Sequence, residues 1–147
     1  MKNLAKFKVA VRTREYLIQA IFQLLFNNEN KDNILQQFED EHSTKKVDFE
    51  NFNKALTTID ETKDSLSLVL HEELELKKSE LELIDRAILY YGIYEINSKE
   101  LPKEIVIDEC IRLSKKFSSP DSYKFINVYL DKYLKLNKAM KGKWSAL

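Results

Sequence analysis

The sequence predicts an all-α protein that forms a single domain over residues 1–147. Only two of the 147 residues are glycine and two are proline, whereas sheet and α/β proteins need many more turn residues. Apolar residues make up 44% of the chain and charged residues 33%, which favours a globular protein with a substantial core. No apolar run approaches the roughly 18 residues of a membrane span, and the N-terminus lacks the apolar stretch of a signal peptide. We therefore expect a cytoplasmic protein without a membrane partner.

Four helices are expected in the first half of the chain. Apolar residues recur there at intervals of three and four, the spacing that buries one face of a helix. The first helix is expected over about residues 9–26 and a short second one over about residues 32–41. A third contains Phe52 and Ile59, and a fourth lies near residues 64–76.

Three further helices complete the predicted fold, and each begins at a recognisable signal. Ser79 and Glu82 form a capping box ahead of an apolar run. Pro102 and Pro120 stand where a proline in the first turn of a helix costs no hydrogen bond. Gly92 lies inside the fifth helix, where glycine costs about 1 kcal/mol relative to alanine. We therefore expect a neighbouring helix to approach closely at this glycine.

The net charge of zero conceals an uneven distribution. Residues 1–28 contain five basic residues and one acidic residue, whereas residues 29–85 contain seven basic and sixteen acidic residues. Residues 86–147 contain twelve basic and seven acidic residues, and residues 135–147 are expected to form a frayed basic tail. Basic ends around an acidic middle are typical of a polyanion-binding protein with a second partner, although a soluble helical protein can also carry such charges by chance.

Catalytic and cofactor chemistry find little support in the sequence. Two glycines cannot supply the glycine-rich loops of nucleotide-binding sites, and no zinc-binding H-E-x-x-H pattern exists. His71 precedes two glutamates, but adjacent helix positions do not face each other, so we expect solvated helix surface there. Cys110, the single cysteine, lies on an apolar stripe and is expected to be a buried structural thiol. We therefore expect no catalytic residue, no metal and no cofactor.

A better functional signal lies between residues 115 and 127. Lysines alternate there with aromatic residues, and an asparagine follows. Lysines hold phosphates, aromatic faces stack on unpaired bases, and an asparagine offers a donor and an acceptor to base edges. The pattern indicates a single-stranded RNA site, although Phe117 and Phe125 also lie at the ends of apolar stripes and suit a core position. The candidates are Lys116, Phe117, Lys124, Phe125 and Asn127.

Several segments resemble the NusB family of transcription antitermination factors in order and spacing. At the front, Arg12-Thr13-Arg14-Glu15 is similar to the arginine-rich start of that family's first helix. The resemblance is densest from Ile84 to Asp131. The matching stretches are IDRAIL (84–89), IYEI (93–96), PKEIVIDEC (102–110), LSKKF (113–117) and DSYKFIN (121–127).

The resemblance implies a compact bundle of about seven helices in two subdomains, and it implies an RNA-binding factor rather than an enzyme. Such factors bind the single-stranded boxA element of ribosomal RNA leaders together with NusE, a ribosomal protein. The complex joins RNA polymerase and suppresses premature termination. The resemblance accommodates a monomer or a homodimer. The residues implied or expected to contact RNA are Lys8, Arg12, Arg14, Lys116, Phe117, Asp121, Lys124, Phe125 and Asn127, and those facing NusE are Phe22 and Asp85.

Of two other functions considered on the sequence, one remains open and one is disfavoured. The chain could be an interaction adaptor that binds a basic partner through its acidic middle, with little RNA specificity. Similar helical modules also precede the cofactor domain of RNA cytosine methyltransferases, but this chain has neither the length nor the glycines for such a domain.

Overall fold

The prediction of an all-α fold is confirmed. The computed structural model describes the backbone of residues 2–144 and the side chains of residues 4–137, and this part of the chain contains helices and no β-strand. No helix among the described residues is long and apolar enough to cross a membrane. The six α-helices are α1 (Lys2–Asn27), α2 (Lys31–Glu41), α3 (Phe49–Leu68), α4 (Leu83–Ser98), α5 (Lys103–Phe117) and α6 (Ser122–Trp144).

The helices belong to two compact units, in agreement with the two subdomains that the resemblance implies. The first unit, Met1–Asp64, contains α1, α2 and most of α3, and α1 packs on α2. Within it, the rings of Phe38 and Phe52 lie 5.3 Å apart and both side chains are buried. The second unit, Ser65–Leu147, contains α4, α5 and α6, each packed on the other two.

The expected break between a third and a fourth helix is absent. The helix α3 runs without interruption to Leu68 and continues into a π-helical turn over Val69–Glu73. The residues at the expected break include no glycine or proline. The Nζ atom of Lys63 also lies 3.1 Å from Oδ1 of Asp60, one turn earlier on the same helix. Nothing in the sequence therefore stops the helix there, and two expected helices form one.

The helix start signals mark each boundary only to within a few residues. Ser79 does not cap a helix, because the backbone closes a 3₁₀ turn over Lys78–Glu80 and α4 begins only after Glu82. Pro102 directly precedes α5, and α6 begins two residues after Pro120. In the predicted basic tail the backbone is helical to Trp144, and residues 145–147 lie outside the described residues. Fraying of this tail stays a prediction.

Tyr133 ties α6 to α4 inside the second unit. Its hydroxyl donates a hydrogen bond of 2.6 Å to Oδ1 of Asn97. Burial raises the pKa of the Tyr133 hydroxyl above its ordinary value, because desolvation disfavours the phenolate. The hydroxyl therefore stays a donor at neutral pH, and it holds the end of α4 against α6.

Gly92 lies where α4 meets both α5 and α6, so the expected close approach is confirmed. A Cβ atom built on Gly92 would lie 2.9 Å from Cδ2 of Leu130 on α6 and 3.0 Å from Sγ of Cys110 on α5. Both of these side chains are fully buried and have no room to move away. The close packing of the second unit therefore requires glycine, and it holds Cys110 as the expected structural thiol.

We expect the Gly92→Ala substitution to destabilise the protein. Overpacking a core costs about 1–3 kcal/mol, and the higher helix propensity of alanine returns about 1 kcal/mol of this. Urea unfolding should show a lower midpoint with an unchanged slope. A second Cys110→Ala substitution removes the obstructing sulfur atom, so the double variant should be more stable than the sum of the two single effects predicts. Strictly additive effects would contradict this account of Gly92.

Candidate nucleic-acid interface

The second unit presents a basic and aromatic corner where α5 ends and α6 begins, formed by Lys115, Lys116, Phe117, Tyr123, Lys124 and Phe125. Lys115 and Lys116 occupy the last turn of α5, the end at which the helix dipole stabilises cations. Both lysines and Lys124 are exposed. The corner therefore displays three cations within ten residues of chain.

Aromatic rings lie beneath the ammonium groups of this corner. The Nζ atom of Lys115 lies 4.6 Å from the centre of the Tyr123 ring, and that of Lys124 lies 5.9 Å from the same ring. The Nζ atom of Lys116 lies 5.7 Å from the centre of the Phe117 ring. These cation–π contacts keep the charges close to the rings. Cations and aromatic rings are thus side by side, a combination that suits single-stranded nucleic acid.

Phe117 and Phe125 are neither fully buried nor fully exposed. Both are half-buried, whereas their neighbours Leu113 and Ile126 are completely buried. The ring of Phe125 packs against Tyr129, with ring centres 4.7 Å apart. The apolar stripes predicted from the sequence therefore end in aromatic rings that keep an accessible surface, and both core packing and base stacking are open to them.

The polar candidates of this corner point into solvent. The side chain of Asp121 is 88% exposed, and its carboxylate lies 3.8 Å from Nζ of Lys124, three residues later. Asn127 is exposed on α6, one turn beyond Lys124. An exposed ion pair of this kind contributes little to stability. Asp121, Lys124 and Asn127 are therefore free to exchange their contacts for a ligand at small cost.

In the first unit, the predicted basic residues lie on the N-terminal half of α1. Lys8 is exposed, and it shares a shallow groove of about 240 Å³ with Phe7 and Arg12. Sequence reasoning missed Phe7, whose side chain is 61% exposed. Its position outside the buried stripe of α1 was the available signal. Arg14 is half-buried two residues beyond Arg12.

Arg12 also has a structural contact that the sequence does not reveal. Its Nη1 atom donates a hydrogen bond of 2.9 Å to the carbonyl oxygen of Lys46. Beside it, the hydroxyl of Thr13 accepts a hydrogen bond from the backbone N–H of Asp48 at 2.9 Å and donates one to the carbonyl of Val9 at 2.7 Å. Two consecutive side chains of α1 thus hold the segment that leads into α3.

The two residues expected to face a protein partner differ in accessibility. Phe22 is half-buried, and its ring stacks on Phe26 with centres 5.6 Å apart. Phe26 itself is 67% exposed, and sequence reasoning treated it only as the end of a helix. Asp85 is only 5% exposed, and its Oδ1 atom accepts a hydrogen bond of 2.7 Å from the hydroxyl of Ser118. The carboxylate therefore braces the loop between α5 and α6.

His71 is not part of a solvated surface, contrary to the sequence-based expectation. It is half-buried in the π-helical turn, with Nδ1 2.6 Å from the carbonyl oxygen of Leu76 and Nε2 2.7 Å from Nη2 of Arg86. Because a carbonyl only accepts, Nδ1 carries the proton and Nε2 accepts from the guanidinium. Glu72 and Glu73 are exposed, as expected. Among the described residues, no group of three or more His, Cys, Asp or Glu side chains could hold a metal ion.

Comparison with known proteins identifies the family. The sequence model of the NusB family matches residues 11–135. The transcription antitermination protein NusB of Tolumonas auensis is 35% identical over 125 residues, covering 84% of this chain and 91% of that protein. The NusB protein of Psychromonas ingrahamii is 32% identical over 90% of this chain and 94% of that protein. The NusB protein of Aeromonas salmonicida is 35% identical over 86% of this chain and 94% of that protein. The chain therefore belongs to the NusB family, a family of transcription antitermination factors and not of enzymes.

Proposed function

We propose that the chain binds the boxA element of ribosomal RNA leaders together with NusE and, as part of the RNA polymerase antitermination complex in the cytoplasm, suppresses premature termination. Membership of the NusB family supports the antitermination role. The basic and aromatic corner carries the RNA part of the proposal, because it combines cations with partly accessible rings. Duplex RNA offers no exposed base faces, so this corner favours a single strand.

Each candidate residue has a distinct task in the proposed complex. Lys116 and Lys124 neutralise phosphates, and Phe117 and Phe125 stack on bases with their accessible faces. Asn127 offers an amide to a base edge, while Asp121 accepts from an exocyclic amine. On α1, Lys8, Arg12 and Arg14 add phosphate contacts, and Arg14 supplies a planar fork that lysine lacks.

We propose that NusE contacts the residues around Phe22 in the first unit and those around Asp85 in the second unit. The segment 29–85 carries nine more acidic than basic residues, which complements a basic ribosomal protein. The stacked pair of Phe22 and Phe26 offers an exposed aromatic anchor of the kind that is enriched at protein interfaces. Asp85 contributes mainly by holding the loop between α5 and α6 in place, since its buried carboxylate accepts a hydrogen bond from Ser118.

The decisive experiment measures RNA binding by fluorescence anisotropy. A labelled boxA RNA and a scrambled RNA of the same composition are titrated at several salt concentrations, with and without NusE. We expect tighter binding to boxA, strengthened by NusE, with weak binding by the chain alone because its N-terminus is richer in lysine than in arginine. For the five phosphate contacts proposed above, a plot of the logarithm of the binding constant against the logarithm of the salt concentration should have a slope of roughly −3.5.

Two outcomes would contradict the proposal. Equal and salt-sensitive binding to both RNAs would indicate a generic basic surface. Absence of binding even with NusE would favour the adaptor function, for which the exposed Phe26 and the acidic middle are the supporting features. Size-exclusion chromatography of the same samples would show whether the free chain is a monomer or a homodimer.

A further inference from the structure

A second aromatic and basic group lies on α6, one turn beyond the corner described above. Tyr129 and Lys132 follow Phe125 at intervals of four and three residues, so the three side chains share one face of the helix. Phe125 and Tyr129 are half-buried, and Lys132 is exposed. The face therefore continues from a residue already assigned to RNA into two residues that neither the sequence pattern nor the family resemblance singled out.

The contacts along this face form a continuous chain. The ring centres of Phe125 and Tyr129 lie 4.7 Å apart with an angle of 49° between the ring planes. The Nζ atom of Lys132 lies 4.8 Å from the centre of the Tyr129 ring. Among the residues whose side chains are described, no carboxylate lies within ion-pair distance of Lys132, and no hydrogen bond engages the Tyr129 hydroxyl. A ring, a hydroxyl and a cation are thus available together.

The neighbouring Lys135 differs from Lys132, whose charge has no carboxylate partner within the described part of the chain. Lys135 is also exposed on α6, but its Nζ atom lies 3.0 Å from Oδ2 of Asp131 and its charge is compensated. Lys132 instead lies over an aromatic ring, the arrangement that the corner repeats at Lys115 and Lys116. The same local design therefore appears once more, farther along α6.

We propose that Phe125, Tyr129 and Lys132 form a track for the single-stranded RNA that flanks boxA. The seven residue-to-residue steps from Phe125 to Lys132 span about 10 Å of helix, which matches about three nucleotides at stacked spacing. Tyr129 stacks on a flanking base beside the one held by Phe125, and Lys132 neutralises the adjoining phosphate. This inference rests on the proposed function, because the track begins at an RNA contact of the corner.

The test compares a minimal boxA RNA with the same RNA extended by a few uridines on its 5′ side or on its 3′ side. Wild-type protein with NusE should bind one of the extended RNAs at least about fivefold more tightly than the minimal one, because each base stacked on an aromatic ring adds to the binding affinity. Tyr129→Leu should abolish this gain while keeping the affinity for minimal boxA. Lys132→Gln should reduce the gain and lower the salt slope for the extended RNA by about 0.7.

Lys135→Gln is the matched control, because it removes one positive charge from the same helix. An equal loss of the gain in Lys135→Gln would show a generic charge effect and overturn the track. Equal binding of minimal and extended RNAs by wild-type protein would also overturn it, while leaving the proposed function intact. Absence of binding to minimal boxA would overturn both.

Discussion

Alanine at both Arg12 and Arg14 is expected to weaken binding of boxA RNA by about 10- to 100-fold at moderate salt, because each charge-assisted contact to phosphate contributes about 1.5–3 kcal/mol and part of this is recovered by neighbouring lysines. Two lost phosphate contacts should also reduce the salt slope by about 1.4. Anisotropy titrations at several salt concentrations measure both quantities. Unchanged affinity would remove α1 from the interface and leave the corner of the second unit as the RNA site.

The bond from Arg12 to the Lys46 carbonyl makes controls necessary. Losing it costs about 1 kcal/mol of stability, so the double variant must be compared at a temperature where both proteins remain folded. Replacing both arginines by lysine keeps the charge and should preserve most of the salt slope. Alanine at Lys77 and Lys78, two exposed lysines of the acidic middle, removes the same charge elsewhere and should leave the affinity nearly unchanged.

The Asp85→Lys substitution is expected to destabilise the chain by about 3–5 kcal/mol. Asp85 is buried in the first turn of α4, where a carboxylate suits the helix dipole and accepts from Ser118. A lysine there would place an unpaired cation at the unfavourable end of the helix and leave Ser118 without its acceptor. Urea unfolding measures the loss. A stable Asp85→Lys protein would show that the carboxylate does not hold the loop.

This stability effect changes how partner binding must be tested. A loss of NusE binding in Asp85→Lys would reflect unfolding as well as the lost contact. Asp85→Asn keeps the size of the side chain and an acceptor for Ser118, so it isolates the charge. Phe26→Ser changes an exposed ring on α1 and should weaken NusE binding while stability stays within about 0.5 kcal/mol.

The fold was largely predictable because helix type depends on the period of apolar residues, which the sequence displays directly. The helix ends were less predictable. The sequence around Ser79 fits a helix cap, yet a 3₁₀ turn forms there and α4 begins only at Leu83. Gly92 was interpreted correctly, since a glycine inside a helix has few explanations other than close approach.

The candidate site was predictable in residue type and not in accessibility. The lysines and rings of residues 115–125 were evident from their alternation, but only the structure shows that Phe117 and Phe125 are half-buried. Asp85 and Ser118 are 33 residues apart, so no local pattern could reveal their hydrogen bond. Phe26 and Tyr129 were missed because exposure depends on which neighbours cover a side chain, whereas the position of Phe7 outside the buried stripe of α1 was a usable signal.

The π-helical turn at the end of α3 fixes the number of residues that this stretch of the chain must contain. The N–H of Leu74 closes the turn by bonding the carbonyl of Val69, and just beyond it the N–H of Leu76 bonds the carbonyl of Leu70, each at 2.9 Å. Removing one residue would restore an ordinary α-helical turn and rotate the following residues by about 100°. His71 would then lose its place between the Leu76 carbonyl and Arg86. We therefore expect substitutions in this stretch to be tolerated far better than single-residue deletions.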